Sequence, residues 1–377
     1  MPIYLDNNAS THLDPRVLEA MLPYLSGPAA NASSLHRYGR LARDAVEAAR
    51  AQIAQLVGAQ PGEVIWTSGG TESNNLAIKG VAGNLAPARL LYGASEHPAV
   101  MEAAESLVSR GWTVQAIAVD KLGHVVESAL QAQLARGKLK LVSLMRANNE
   151  TGVIQDVARF APAIHAAGAW LHVDAVQAAG KLPVDMAELG ADLMSLSSHK
   201  IYGPKGIGAL LVRADVELRP LLHGGAQERG LRGGTENVAA IAGFGRAAEL
   251  VMQELEQRSA HLLPLRERLE AGLSSIPGLL IFGAGAERLP NTCQFALAGY
   301  DGEALLMQLD RRGIAVSSGS ACASGSGEPS HVLIAMGYDA VTAKGAIRVS
   351  LGKDNTADDV DRLLAVLAEI ARTLIAA

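Results

Sequence analysis

Cysteine and long apolar runs are both scarce in this chain of 377 residues, and each shortage excludes a class of protein. The two cysteines, Cys293 and Cys322, are too few for a disulfide framework. No uncharged apolar stretch approaches the roughly 20 residues that span a bilayer. The N-terminal segment MPIYLDNNAS lacks the basic and apolar regions of a secretory signal. We therefore expect a soluble protein of the reducing cytoplasm.

Positive charge is also in short supply. The chain carries 33 Lys and Arg residues against 38 Asp and Glu residues, a net charge of −5, and no long basic run. Direct binding to nucleic acid or to an anionic membrane is therefore not indicated. Hydrophobic residues make up 49% of the chain and glycine occurs 39 times, which is typical of a compact α/β protein.

Strand-like runs alternate with helix-like segments through the first half of the chain. Helices such as Glu72–Gly80, Ala99–Arg110 and Ala161–Ala167 separate most of the strands, which predicts βαβ units and a mostly parallel sheet. A further run, Gly208–Arg213, follows too short a loop for a crossover helix and should pair antiparallel or lie at an edge. The other strand candidates are Val64–Thr67, Leu90–Tyr92, Val114–Val119, Leu139–Leu144, Trp170–Val173 and Leu193–Leu196.

The pattern changes beyond a long helix that is predicted from about Ile241 to Leu273. Shorter strands and helices follow, and an amphipathic helix ends the chain. This change predicts a second, smaller α+β domain. We assign residues 15–255 to a large domain, and residues 1–14 and 256–377 to a small domain that includes the N-terminal arm.

Polar side chains follow five of the predicted strands at the points where the strands end. Because the carboxyl ends of parallel strands meet at one edge of a sheet, these loops should gather where ligands bind. Any one of them could be an ordinary turn or helix cap, but five at the same edge favour a site. The five loops are Thr67–Glu72, Ser95–His97, Asn148–Glu150, Asp174–Gln177 and Ser197–Lys200.

These loops contain groups that fit one cofactor. Gly70 and Thr71 open a helix and can form a phosphate cradle. Asp174 could pair with a cationic ring nitrogen or cap the next helix. Lys200 could bond to an aldehyde or lie as a surface lysine in a polar hairpin. With His97, which could stack on a ring or cap a helix, they predict pyridoxal phosphate (PLP).

Different environments are predicted for the two cysteines. Cys322 lies in SSGSACASGSG, which has no apolar mass to bury it, so we expect an exposed loop and a reactive thiol. Cys293 lies in TCQFAL and is predicted to be core. Arg348, in AIRVSLG, is either an edge residue or a fork for a carboxylate.

Taken together and in this order, the motifs of the chain resemble those of the NifS/IscS cysteine desulfurases. That family belongs to the class-V aminotransferase group of fold-type-I PLP enzymes. The resemblance implies a large domain with a mostly parallel seven-stranded sheet and a smaller α+β domain. It covers almost the whole chain and rests on YLDNNAST, NASSLHRYG, TSGGTESNNLAIKG, SEHPAV, NNETG, HVDAVQAAGK, SLSSHKIYGPKGIGAL, GGAQERGLRGGTEN, SSGSACASG and IRVSLG.

The resemblance also implies a role for each site residue. Lys200 would bind PLP covalently, His97 would stack on its ring and move protons, and Cys322 would accept the sulfur. Substrate carboxylate would be held by Arg348 and Asn31. The cofactor would be held by Gly70, Thr71, Asn149, Asp174, Gln177, Ser197 and His199, with Asn149 also facing the substrate and Thr235 reaching the phosphate of a neighbouring subunit.

The implied activity is the conversion of L-cysteine to L-alanine. Sulfur would pass to Cys322 as a persulfide and then to an acceptor protein for iron–sulfur cluster or other thio-cofactor biosynthesis. The resemblance implies a homodimer, and no metal is predicted. A selenocysteine lyase, another class-V lyase, and a PLP-fold scaffold without catalysis stay open as alternatives. The sequence does not identify the sulfur acceptor.

Overall fold

Strands and helices alternate along the computed structural model, which describes residues 2–318 and 328–375, with side chains as far as residue 372. In chain order the strands are β1 (Ile3–Tyr4), β2 (Val64–Thr67), β3 (Arg89–Gly93), β4 (Thr113–Ile117), β5 (Leu139–Met145), β6 (Trp170–Asp174), β7 (Leu193–Ser197), β8 (Gly208–Val212), β9 (Leu279–Ile281), β10 (Thr292–Leu297), β11 (Ile314–Ala315), β12 (Ser317–Ser318) and β13 (Ala346–Ser350). The helices are α1 (Pro15–Ser26), α2 (Arg37–Leu56), α3 (Gly70–Gly83), α4 (Pro98–Glu105), α5 (Glu127–Leu134), α6 (Val157–Ala166), α7 (Val238–Ser274), α8 (Gly302–Asp310), α9 (His331–Ala335), α10 (Ala340–Lys344) and α11 (Ala357–Ile375).

Within the described residues, the central sheet has seven strands in the order β2, β8, β7, β6, β5, β3, β4. All neighbouring pairs are parallel except those that involve β8, so the mostly parallel sheet predicted from the sequence is confirmed. The antiparallel pairing expected for β8 is also confirmed, and β8 lies between β2 and β7 rather than at an edge. The other six strands point the same way, so their C-terminal ends meet at one edge of the sheet.

Several helix boundaries differ from the sequence-based expectation: α3 begins at Gly70 rather than Glu72, and α6 begins at Val157 rather than Ala161. α2 begins at Arg37 because His36 caps it, its Nδ1 accepting a hydrogen bond from the Gly39 N–H at 3.1 Å. α4 ends at Glu105 instead of reaching Arg110, and a 3-10 turn and Gly111, with φ of 86°, lead into β4. In the ranges that the structure describes, none of the helices is long and apolar enough to cross a membrane.

A buried histidine links three strands of the central sheet. His172 lies on β6 with no exposed surface, its Nδ1 2.8 Å from the Ser143 Oγ on β5 and its Nε2 2.9 Å from the Ser195 Oγ on β7. Burial lowers the pKa of His172 to about 4, because a charged ring would lose its hydration, and the negative charge of Asp174 opposes this shift only in part. The ring is therefore neutral in the folded protein near pH 7.

His172 should make the folded protein less stable in acid. Its pKa is about 4 in the folded protein and about 6.5 in the unfolded chain, so between these values the unfolded chain binds the extra proton. Stability is complete above about pH 6.5 and falls by roughly 1.4 kcal/mol per pH unit as the pH drops towards 4. Denaturant unfolding of His172→Gln should lack this component, with His223→Gln as the control at an exposed histidine. Parallel pH curves for wild type and His172→Gln would contradict the assignment.

The C-terminal third builds a second sheet, and α7 joins it to the first. Within the described residues, β12, β13, β10 and β9 form this antiparallel sheet in that order, and its apolar cluster also includes Ile3 and Leu5 of the N-terminal arm. α7 places Phe244 in the core beneath the central sheet and Leu269 in the second cluster. The domain boundary predicted at residue 255 falls inside this helix and stays a prediction.

The N-terminal arm crosses from one sheet to the other. β1 pairs with β11, and Asp6 forms a bridge with Ser350 at the end of β13. Further along, the Thr11 N–H donates to the His199 carbonyl at 2.9 Å. The arm therefore passes the C-terminal edge of the central sheet, and Asn8 lies between the two parts of the protein.

Candidate active site

A cavity of about 320 Å³ opens at the C-terminal edge of the central sheet. Two predicted site residues, Asn31 and Thr235, are exposed and do not line it, while Cys322 lies outside the described residues. Asn8 and Asn74 line the cavity without having been predicted from the sequence. The predicted residues that do line it are Gly70, Thr71, His97, Asn149, Asp174, Gln177, Ser197, His199, Lys200 and Arg348.

One end of the cavity is built for an anion. α3 begins at Gly70, and Gly69 before it offers no capping side chain, which leaves the first-turn N–H groups for a ligand. A Cβ on Gly208 would lie 2.6 Å from the Gly69 Cα, so position 208 needs glycine, whereas a Cβ on Gly70 would lie 2.9 Å from the Val176 Cγ2 and would require that side chain to shift. The buried Ser197 Oγ has no hydrogen-bond partner among the described residues. Such an unpaired hydroxyl beside a helix N-terminus indicates a bound oxyanion.

Lys200 reaches the cavity from the turn that follows β7. Its Nζ donates to the carbonyls of Asn8 and, at 2.9 Å, of Ala9. Two residues later Tyr202 has a φ of 68°, an uncommon conformation for a residue with a side chain, and its N–H donates to the Thr11 Oγ1 at 2.8 Å. The arm thus fixes the turn that carries Lys200. The interpretation of Lys200 as a surface lysine in a hairpin is wrong, because the residue is partly buried and lines the cavity.

Asp174 ends β6 with both carboxylate oxygens held. Its Oδ1 accepts from the Val176 N–H at 3.0 Å, and its Oδ2 accepts from the Asn74 Nδ2 at 2.7 Å. Asn74 lies on α3 four residues after Gly70, so it projects from the same face of the helix. The sequence contains this spacing, but only the folded structure shows that a cavity lies beside that face of the helix. With two fixed donors, the carboxylate keeps one orientation towards a cation in the cavity.

Two histidines in the cavity are neutral near pH 7. Burial is the main cause that lowers the pKa of His97; Lys200 also lowers it, while Asp174 opposes the shift. Because the His97 Nδ1 accepts from the Ala99 N–H at 3.0 Å, the proton of its neutral ring is on Nε2. His97 therefore caps α4 and lines the cavity at once. Burial, followed by the charge of Lys200, lowers the pKa of His199 to about 4.

Glu96 is a buried acid directly behind this wall of the site. Burial raises the pKa of Glu96 well above its ordinary value, and the negative charge of Asp174 raises it further. The Glu96 Oε1 accepts a hydrogen bond from the Met145 N–H. Asp174 lines the cavity and Glu96 does not, so the carboxylate that faces a ligand there is Asp174.

Arg348 provides a buried guanidinium at the side of the cavity nearest the second sheet. It is 1% exposed on β13, an inner strand, so its interpretation as an edge residue is wrong. Its Nη2 donates to the Asp6 Oδ1 at 2.7 Å and its Nη1 to the Asn149 carbonyl at 3.1 Å. These contacts hold the planar group in place where a carboxylate can approach it.

Cys293 lies in an environment unlike that of the cavity residues. It is fully buried on β10, and burial raises the pKa of its thiol to about 12. The thiol stays protonated at neutral pH and is a poor nucleophile. The prediction that Cys293 is a core residue is confirmed, whereas the exposed loop predicted around Cys322 is not described by the structure.

Known proteins match this chain along almost its whole length. The profile of the aminotransferase class-V family matches residues 3–363. The chain is 45% identical over 374 residues to the cysteine desulfurase of Trichormus azollae, covering 99% of this chain and 93% of that protein. It is also 45% identical over 380 residues to the cysteine desulfurase IscS of Anaeromyxobacter sp. (strain Fw109-5), with the same two coverages.

Solved structures share the fold. A NifS-like protein superposes with a TM-score of 0.92 at 39% identity, covering 99% of this chain and 100% of that one. SspA in complex with cysteine superposes with a TM-score of 0.83 at 33% identity, covering 94% and 100%. The fold-type-I architecture expected from the sequence is thereby confirmed.

Proposed function

The chain belongs to the class-V aminotransferase family, and on that premise we propose that it is a PLP-dependent cysteine desulfurase. The observation that carries the proposal is the convergence of four groups in one cavity. An amine (Lys200), a carboxylate (Asp174), a helix N-terminus at Gly70 and a guanidinium (Arg348) all line it. A cofactor with an aldehyde, a ring nitrogen and a phosphate would use the first three, and the carboxylate of an amino acid would use the fourth.

The donor set of the cavity fits PLP. The N–H groups at the start of α3 and the unpartnered Ser197 Oγ would receive the phosphate, with Thr71 and His199 beside them. Asp174 would pair with the ring nitrogen and Lys200 would bond to the aldehyde. When bound, PLP would withdraw electrons from the bonds around the substrate α-carbon.

The protein's own residues would then position the substrate and move protons. Arg348 would hold the carboxylate of L-cysteine, and Asn149 beside it would face both substrate and ring. The His97 Nε2, which carries the proton of the neutral ring, would donate to and accept from the substrate. The released Lys200 amine would be a second base in the cavity.

Cys322 would carry out the sulfur transfer. Its thiolate would attack the sulfur of the substrate, forming an S–S bond while the C–S bond breaks and its electron pair stays on carbon. Protonation of that carbon gives L-alanine and leaves a persulfide on Cys322. The persulfide sulfur would then pass to an acceptor protein for iron–sulfur cluster or other thio-cofactor biosynthesis, in the reducing cytoplasm.

A second copy of the chain would complete the site. Thr235 and Asn31 are exposed and do not line the cavity of their own chain, so a neighbouring subunit is the place where they could act. An apolar surface supports such an interface: α1 exposes Leu22 and Leu25 at 46% and 60%, and the loop before α2 exposes Leu35 at 82%. A homodimer that covers this surface and brings Thr235 to the partner's phosphate site is therefore part of the proposal.

The test is a product assay. Protein loaded with PLP and supplied with L-cysteine and dithiothreitol should release alanine and sulfide in equal amounts. Protein without PLP is the control and should release neither. Formation of pyruvate and ammonia instead of alanine would overturn the desulfurase proposal, because those are the products of an elimination.

Arg348→Lys should weaken substrate binding and leave the cofactor in place. Lysine keeps the positive charge but lacks the fork that a carboxylate engages through two parallel hydrogen bonds. We expect the KM for L-cysteine to rise by about 10- to 100-fold, the value of one or two charged hydrogen bonds. Steady-state kinetics measures the change, and the visible absorbance of bound PLP is the control. An unchanged KM would show that Arg348 does not hold the substrate carboxylate.

A further inference from the structure

Lys181 is a buried amine outside the proposed chemistry. It lies just beyond β6, is 7% exposed and does not line the cavity. Its Nζ donates to the Asn8 Oδ1 at 2.9 Å and to the Gln177 Oε1 at 2.6 Å. Both acceptors are neutral, and both belong to residues that do line the cavity. A lysine held in this way costs desolvation energy that an apolar residue of the same size would avoid, so its position calls for a function.

The contact with Lys181 determines which way the Gln177 amide points. Burial, followed by the charges of Lys200 and Arg348, lowers the pKa of Lys181, but the amine has at least two hydrogens in either form. It donates one to the Asn8 Oδ1 and one to the Gln177 Oε1, so the atom of Gln177 that faces it is the oxygen. The nitrogen is then on the other side, where one N–H donates to the Asn8 carbonyl at 3.0 Å. Among the contacts of the described residues, the second N–H of this amide makes none. Gln177 therefore presents a donor, not an acceptor, to a ligand in the cavity.

The same group of residues also reaches Lys200. The Asn8 carbonyl that accepts from Gln177 accepts from the Lys200 Nζ as well. The Asn8 side chain, which receives the Lys181 bond, also accepts from the Asn291 Nδ2 at 3.1 Å. Lys181 thus acts on the cavity through two residues, and its most direct effect is on the orientation of Gln177.

We propose that Lys181 is a positioning residue that locks the Gln177 amide with its N–H towards the cavity, so that Gln177 donates a hydrogen bond to an anionic oxygen on the cofactor ring. This inference rests on the proposed function, since it concerns the PLP ring. Without the lock, the amide can rotate and place its oxygen towards the ring oxygen, where two acceptors repel. The lost hydrogen bond would leave more negative charge on the ring oxygen. The nearby nitrogen contributed by Lys200 would then keep its proton to higher pH.

The experiment measures the pH midpoint of the visible absorbance of bound PLP in four proteins: wild type, Lys181→Met, Gln177→Leu and the double variant. Lys181→Met should raise the midpoint by about one pH unit, the effect expected for one hydrogen bond to a charged oxygen. In the Gln177→Leu background the same substitution should change nothing further, because the amide it acts through is gone. Lys140→Met, at an exposed lysine on β5, is the matched control and should behave as wild type.

Two more variants distinguish the loss of the Lys181–Gln177 contact from a folding defect. Lys181→Gln keeps a polar group in the buried position but can present either a donor or an acceptor, so it removes the lock without removing the polarity. It should shift the midpoint in the same direction as Lys181→Met, by about half as much. Lys181→Arg, which only donates, should restore a midpoint close to that of wild type. Thermal unfolding of each variant reports any structural loss separately.

The outcomes are distinct. If Lys181→Met shifted the pH midpoint equally in the wild-type and the Gln177→Leu backgrounds, the inference would be overturned. It would also be overturned if neither Lys181→Met nor Lys181→Gln shifted the midpoint. If wild type bound no visible chromophore at all, the proposed function itself would fail. A wild type that binds PLP normally while the Lys181 variants match it would leave the proposed function intact and remove this inference alone.

Discussion

Lys200→Ala should reduce desulfurase turnover by about 10³-fold or more, because it removes both the covalent attachment of the cofactor and a base in the cavity. The position of Lys200 explains why the expected loss of turnover is large. Lys200 projects from a turn that the N-terminal arm fixes through Thr11, and its Nζ is held at the carbonyls of Asn8 and Ala9. Another residue of the cavity would not be in the right position to take over its role. The measurement is the rate of alanine formation from L-cysteine.

A chemical readout separates this effect from a general loss of structure. Borohydride reduction of the wild type, followed by peptide mapping, should find the mass of the cofactor on the peptide that contains Lys200. The Lys200→Ala protein should carry no reduced cofactor, and Lys140→Ala should be labelled at Lys200 as in wild type. Attachment of the cofactor to another lysine, or normal turnover by Lys200→Ala, would contradict the assignment.

Cys322→Ala should abolish turnover while the protein keeps its bound cofactor, whereas Cys293→Ala should keep both. The two cysteines lie in different sequence contexts, and the structure describes only Cys293. Burial raises the pKa of the Cys293 thiol to about 12, so it supplies almost no thiolate at neutral pH. Cys322 lies in a run of Ser, Gly and Ala, which is typical of an exposed thiol. Nucleophilic transfer of sulfur needs the thiolate, so the loss should be specific to Cys322.

Cys293→Ala serves as the matched control for the removal of one thiol. It should cost roughly 1 to 2 kcal/mol of stability, because it leaves a small cavity on an inner strand, and leave kcat unchanged. Alanine formation and the visible absorbance of PLP measured on both variants decide the question. If Cys322→Ala released alanine at the wild-type rate, or Cys293→Ala lost activity while still folded, the sulfur would travel by another route.

Site residues at strand ends could be predicted from the sequence because the end of a strand is indicated by the residues directly beside it. Asp174 and Lys200 follow runs of apolar residues, and Gly70 opens a helix directly after a strand. Parallel topology then brings such ends to one edge of the sheet. The structure places all three at one cavity. The same local argument fails for Arg348, whose burial depends on the pairing of β13 between β10 and β12.

Residues that support the site from elsewhere could not be predicted. Asn8 lies in the motif YLDNNAST, but its contacts join residues about 140 to 340 positions away along the chain. Asn74 lies in the predicted helix Glu72–Gly80, and Lys181 lies between two predicted strands. Their spacing, four residues after Gly70 and four after Gln177, becomes informative only once the cavity is known. Such contacts depend on packing between distant segments, and composition or periodicity does not report it.

The proposed function depends above all on one step, in which this chain removes sulfur from L-cysteine and keeps it on Cys322. A single-turnover reaction without reductant tests it most directly: PLP-loaded protein is mixed with L-cysteine, the thiols are trapped, and the peptides are mapped by mass spectrometry alongside an amino-acid analysis. We expect alanine in an amount equal to the active chains, with one extra sulfur atom on the Cys322 peptide and none on the Cys293 peptide. Pyruvate with free sulfide, or alanine without sulfur on Cys322, would contradict it.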